Sequence, residues 1–232
     1  MTNDNSIFFR LDVIVVLISI LLPQGFSYGG SLDSTISSIQ QSYDTIKDFK
    51  ARFVQESRVK SLGAAQVQKA EGVVYFKKEG KMCWDYQQPT PQKIISDGKE
   101  LWFYEPEDKQ VTVSKVGTGL QSQISANLLN GKANLEKDFQ VALITSQTEK
   151  NTGEIVLELT PKTTQANLSR VILRLDKKNF QLHQTEVYDL FDNLTRITFS
   201  HVESNTNLPD SLFTFSPPSG VEILTPPIIP LP

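Results

Sequence analysis

The stretch SDGKELWFYEPEDKQVTV, residues 96 to 113, sets four bulky apolar residues in a row: Leu101, Trp102, Phe103 and Tyr104. Asp97-Gly98 before them and Pro106-Glu107-Asp108 after them are turn chemistry. A short apolar run between turn signals has the length of a strand. Strands send alternate side chains to opposite faces, so Trp102 and Tyr104 share one face while Leu101 and Phe103 share the other. A half-exposed strand would alternate apolar with polar. This one is greasy on both sides, so both faces are expected to be covered. The interior of a sheet can cover one, and a loop, a tail or a partner the other.

The flanking chain reads the same way. Strands are predicted over Phe49 to Arg58, Gly72 to Lys77, Lys81 to Tyr86, Lys93 to Ser96 and Gln110 to Lys115. Glu79-Gly80 and Asp97-Gly98 supply tight turns between them, the pattern of an antiparallel meander. Further strands are predicted over Phe139 to Ser146, Glu154 to Thr160, Val171 to Leu175, Gln181 to Tyr188 and Leu194 to Val202, with a last short piece over Leu212 to Phe215. Two amphipathic helices interrupt this. The first carries Ile36, Ile39, Tyr43 and Ile46 on one face, with Ser31 or Asp33 as cap. The second, residues 120 to 131, carries Leu120, Ile124, Leu128 and Leu129 and stops at Gly131. About 10–11 antiparallel strands cannot stay a flat open sheet; they curl into a barrel or split into a sandwich. The expected class is mainly β with helices (α+β), in one domain over residues 30–224, where two short helices plug or cap the concave side.

The termini differ from this body. Arg10 precedes an apolar run from Val13 to Leu22. At about ten residues the run is half the ~20 needed to cross a bilayer, so an uncleaved anchor is disfavoured. It fits the apolar core of a secretory signal peptide over residues 1–29, cleaved after Gly29 or, as the rival site, Ser27. No cysteine stands at the expected mature N-terminus to take a lipid, and the exported protein is expected to be soluble. The tail TPPIIPLP, residues 225–232, is Pro-rich and reads as extended or loose. The net charge of −3, with basic residues scattered, gives no basic stripe for nucleic acid. Cys83 is the only cysteine, so no internal disulfide forms. A thiol beside Trp84, with only His183 and His201 as possible bases, reads as a small buried hydrophobe. No G-x-S-x-G, H-E-x-x-H or paired-Cys motif occurs, and neither an enzyme nor a cofactor is expected.

The aromatics of the first meander are the remaining signal. Phe53, Tyr75, Phe76, Met82, Trp84, Trp102, Phe103 and Tyr104 are rich material for a core, and also for an apolar ligand cavity in a barrel. Composition alone favours the core. The order of motifs tips the balance: DFKARFVQ (48–55), GVVYFKKEGKMCWDYQQP (72–89), SDGKELWFYEPEDKQV (96–111) and FTFSPPSGVEIL (213–224). Across residues 31 to 224 the chain resembles the LolA family of periplasmic outer-membrane lipoprotein carriers.

The resemblance implies an incomplete antiparallel β-barrel with a helical lid. It implies a non-enzymatic carrier that takes acylated lipoproteins from an inner-membrane lipoprotein-releasing ABC transporter. The carrier shields their acyl chains across the periplasm and passes them to an outer-membrane receptor of the LolB type. Phe53, Tyr75, Met82, Trp84, Trp102, Tyr104, Leu128 and Leu129 become the expected acyl-chain cavity. The family usually sets Arg-Pro in a strand-to-strand turn, where the Arg latches the lid; this chain has Lys78-Glu79 there. Lys keeps the charge and loses the planar fork. A solvated turn lysine is the competing reading. His183 aligns near the same latch, with a satisfied strand histidine as its alternative. A monomer is expected. A related lipid-binding or lipid-sensing module is the rival function, although a receptor would carry a lipid-bearing Cys and a sensor a further domain.

Overall fold

The computed structural model describes residues 32–60, 67–116, 138–144, 153–164 and 168–225. The expected signal peptide, the expected second helix with Leu128 and Leu129, and residues 226–232 of the tail lie outside the described residues. A helix, α1 (Leu32–Asp44), comes first, where the Ile36/Ile39/Tyr43 periodicity placed it; Ile46, expected on the same helical face, falls just beyond its end. Twelve strands follow among the described residues. The first meander is β1 (Asp48–Arg58), β2 (Val67–Lys77), β3 (Lys81–Gln88), β4 (Gln92–Asp97), β5 (Glu100–Glu105) and β6 (Gln110–Lys115). The second is β7 (Phe139–Leu143), β8 (Glu154–Pro161), β9 (Arg170–Asp176), β10 (Leu182–Tyr188) and β11 (Leu194–Ser204), and β12 (Glu222–Leu224) ends the order.

All twelve strands share one sheet, in the order β12-β6-β5-β4-β3-β2-β1-β11-β10-β9-β8-β7. The two meanders are joined by the antiparallel pairing of β1 with β11, where Phe53 faces Phe199 and Gln55 faces Ile197. β12 lies parallel to β6, with Ile223 opposite Val111. β12 and β7 occupy the two ends of the order without joining, so the curved sheet is unclosed, as expected. The last predicted strand does not form. Asp210–Phe213 is instead a 3₁₀ turn with Phe213 buried, and the final strand falls nine residues later, at Glu222–Leu224. Pro209 and Pro217-Pro218 explain the shift: proline has no N–H to give a ladder.

Two glycines mark close approaches. Gly72 lies where the β2–β3 register shifts, and a Cβ there would run into the carbonyl of Asp85. Gly98, at φ +91, presses its backbone on Glu79, so the β4–β5 turn seats against the β2–β3 turn.

Both faces of β5 are covered. Leu101 and Phe103 join an inner cluster with Phe53, Val74, Phe76, Met82, Trp84, Tyr86 and Ile94 on the concave side. Trp102 joins an outer cluster with Cys83, Ile95, Val111, Leu208 and Phe213, and Tyr104 packs against it. The outer cover is thus the chain's own segment after β11. It lays Leu208, Phe213, Phe215 and Val221 over the convex face, with the Phe215 ring 4.9 Å from that of Tyr104.

Candidate functional site: a concave face under a helix

The inner face is built by strand alternation. Across β1, β2, β3, β4 and β5 the ladder runs Ala51, Val74, Trp84, Ile94 and Phe103, all pointing inward. Phe53 packs edge-on against Trp84 at 4.8 Å and against Tyr86 at 4.9 Å. Trp84 also faces the Phe199 ring at 6.3 Å. Helix α1 lies on this face: Ile39 belongs to the inner cluster, Tyr43 packs against it, and Ile36 is buried.

Beside the C-terminal end of α1 the packing gives way to a cavity of about 300 Å³. Its walls include Tyr43 and Ile46 from the helix end, Phe49 and Ala51 of β1, Phe180 before β10 and Leu182 at its start, and Phe199 of β11. That volume sits at the small end of the roughly 300–1,000 Å³ range of ligand pockets.

The helix end is fixed by polar contacts on two sides. The last turn of a helix leaves carbonyls without partners, and a cation there is favoured by the dipole. Lys78 fills that role: its Nζ donates to the carbonyl oxygen of Asp44 at 2.7 Å. Its backbone N–H donates to the Lys47 carbonyl at 2.9 Å. On the other side the Tyr43 hydroxyl accepts the Leu182 N–H at 2.9 Å. Burial pushes the Tyr43 hydroxyl up to about 12, against the opposing pull of that Leu182 N–H. Asn205 completes the clamp by accepting from the Lys47 N–H at 2.7 Å and donating to the Thr45 carbonyl at 3.2 Å.

The expected cavity residues divide. Phe53, Met82 and Trp84 stand on the concave face. Tyr75, Trp102 and Tyr104 stand on the convex face beneath the C-terminal segment, so they do not line one cavity with the first three. The alternation that separates Trp102 from Phe103 was legible, but which face was concave was not. Leu128 and Leu129 lie outside the described residues. Lys78 reaches the helix; His183 does not. Its Nε2 lies 3.0 Å from the Glu154 carboxylate, which Arg174 also approaches at 3.5 Å. Glu154 alternates with the inward Ile155, so this pair is on the outer side. Cys83, in the outer cluster, has its thiol pushed up to about 11, chiefly by burial, as suits a packed hydrophobe.

Sequence reasoning missed Tyr43 as a fastening, although a tyrosine on a buried helix face needs a hydroxyl partner. It also missed Asn205 and Asp48. The buried Asp48 carboxylate accepts the Thr206 N–H at 2.8 Å and the Leu208 N–H at 3.4 Å, tying the start of β1 to the outer cover. Asn205 and Asn207 both adopt left-handed φ near +59 and +58, and asparagines in SNTNLP were the available signal.

Residues 44–216 match the family model described as Outer membrane lipoprotein carrier protein LolA. Relatives named Outer-membrane lipoprotein carrier protein include one from Nitrosospira multiformis, 36% identical over 82% of this chain and 88% of its own. Another, from Nitrosomonas europaea, is 33% identical over 93% of this chain and 98% of its own. Among solved structures, an uncharacterized conserved protein from Thermus thermophilus superposes with a TM-score of 0.52 at 12% identity, over 84% of this chain and 99% of that one. A LolA superfamily protein from Nitrosomonas europaea superposes at 0.43 with 17% identity, covering 77% and 97%. The solved structures bear on the fold alone. The sequence matches span nearly the whole sheet and nearly the full length of the relatives, and on them the chain belongs to the LolA family of outer membrane lipoprotein carrier proteins.

Proposed function

We propose that this chain takes acylated lipoproteins released from the inner membrane by an ABC transporter, shields their acyl chains through the periplasm and delivers them to an outer-membrane receptor. It does so without covalent chemistry. The observation that carries the reading is the amphipathic helix lying over an apolar concave face, beside a cavity and fastened by exchangeable polar bonds. Phe53, Met82 and Trp84 supply the apolar concave face next to that cavity, and Lys78 the latch.

The energetics favour a cover that moves. Burying Ile36 and Ile39 is worth about 1.5–3 kcal/mol each, so α1 is held by a modest hydrophobic term. Three acyl chains of roughly 15 methylenes, at ~0.8 kcal/mol per methylene, cost several tens of kcal/mol to leave in water. Cargo therefore outweighs the closed lid many times over. It also outgrows the closed space: at a water-like ~30 Å³ per methylene, three chains exceed the cavity, and α1 must shift to admit them.

The test is reconstitution. Vesicles bearing a triacylated lipoprotein and the releasing transporter, given ATP and this protein, should yield a soluble complex of the two proteins. That complex should then discharge its cargo to vesicles bearing the receptor. Folded protein that leaves the lipoprotein in the donor vesicles refutes the proposal.

A further inference from the structure

Three buried side-chain polar atoms lack a hydrogen-bond partner among the described residues: Gln40 Nε2, Trp84 Nε1 and Thr185 Oγ1. Gln40 is 7% exposed, and Trp84 and Thr185 are each 1% exposed. An orphaned buried donor costs about 1–3 kcal/mol, and native interiors hold few of them. These three are not scattered. Trp84 stands in the inner row between Val74 and Ile94. Thr185 pairs with Leu173 and Ile197, both members of the inner cluster. Gln40 follows Ile36 by four residues and precedes Tyr43 by three, so it lies on the covered face of α1.

All three thus face the concave interior; none lines the cavity, but two of them neighbour residues that do. Tyr43 and Phe199 line the cavity. Gln40 is one turn behind Tyr43 on the helix, and the Trp84 ring faces Phe199. A purely hydrocarbon ligand would leave both N–H donors unserved. An indole N–H only donates, and a freed amide NH₂ does likewise. What fits them is a ligand that brings acceptors and no donors into an apolar space. Fatty ester carbonyls have that character.

We propose that Gln40 Nε2 and Trp84 Nε1 are the polar subsite of the acyl cavity, donating to the ester carbonyls where the acyl chains join their glyceryl group. This rests on the carrier reading above and adds to it. The carrier then grips its cargo by the linkage as well as by the chains, and fixes how deep the chains enter. Opening α1 carries Gln40 away with the helix, so release gives up part of the polar grip at once.

The test uses two synthetic probes: an N-acyl-S-(2,3-diacyloxypropyl)cysteinyl peptide, and its analogue with both esters replaced by ethers. Each carries a fluorophore and is extracted from phosphatidylcholine vesicles by the full-length mature protein. The ester probe should bind about tenfold more tightly than the ether probe, the worth of one or two net hydrogen bonds. The ratio should shrink towards one in Gln40→Leu and in Trp84→Phe, which remove the donors and keep apolar bulk. Equal affinity of the wild-type protein for both probes overturns the subsite, leaving the donors to an ordered water. Extraction of neither probe overturns the carrier reading itself, which separates the two failures.

Discussion

Replacing Lys78 with Met should loosen α1 without unfolding the sheet. The substitution removes the ammonium that donates to the Asp44 carbonyl at 2.7 Å and keeps the side-chain length. It spares the backbone bond from the Lys78 N–H to the Lys47 carbonyl, so the turn itself stays seated. Lys78 is exposed, so solvent screens the bond, and the fitting magnitude is that of a surface cation at a helix C-terminus, about 0.3–1 kcal/mol. At RT of about 0.6 kcal/mol that shifts the opening of the helix by roughly two- to fivefold. Amide hydrogen exchange followed by mass spectrometry reads this directly. Peptides covering 32–44 should exchange two- to fivefold faster, while peptides from β1, β3 and β11 keep their protection. Arg at the same position should restore wild-type exchange, since it offers the same charge and a wider fork. Unaltered exchange in α1 would return Lys78 to a solvated turn residue. Faster exchange throughout the sheet would show that the bond supports the fold instead of the lid.

Tyr43→Phe strips the acceptor from a part-buried Leu182 N–H. The cost of about 1–3 kcal/mol should lower the melting midpoint by several degrees, and an unchanged midpoint would mean that water serves that N–H. The outer cover should be acid-labile. Asp210 accepts from Lys77 at 2.6 Å and from Lys81 at 3.2 Å, and these bonds hold its carboxyl below the usual aspartate range. A depressed carboxyl stabilises the fold above the ordinary value and loses that contribution as the pH falls through the depressed one. The near-ultraviolet circular dichroism from Trp102 and Tyr104 should therefore hold from pH 7 to about 4 and decline below it. Asp210→Asn should lack that step, and identical acid profiles for the two proteins would remove Asp210 from the account.

The architecture was legible where periodicity is local. Ile36, Ile39 and Tyr43 announced α1, and Glu79-Gly80 and Asp97-Gly98 announced the turns of the first meander. Even the two-faced burial of Leu101 to Tyr104 followed from alternation. What alternation cannot supply is the sign of the curvature. Trp102 and Trp84 look alike in a sequence, yet one lies beneath the C-terminal segment and the other beneath α1. The sign was set by contacts over 100 residues away, such as Phe215 on Tyr104 and β11 on β1. Lys78 was found because a resemblance pointed to its turn. Asn205 and Asp48 work through backbone groups distant in sequence, and no local pattern announces such bonds.

One hairpin serves both covers of the sheet. Lys77 donates to the Leu208 carbonyl and to Asp210 in the outer segment, while its neighbour Lys78 reaches back to α1. Surface turns ordinarily tolerate insertions and deletions, but this one should not. Losing or gaining a single residue between 77 and 80 would swing the two amines out of step and cut both fastenings together. Length polymorphism among natural variants is accordingly expected at other turns of the molecule, with this hairpin kept at constant length.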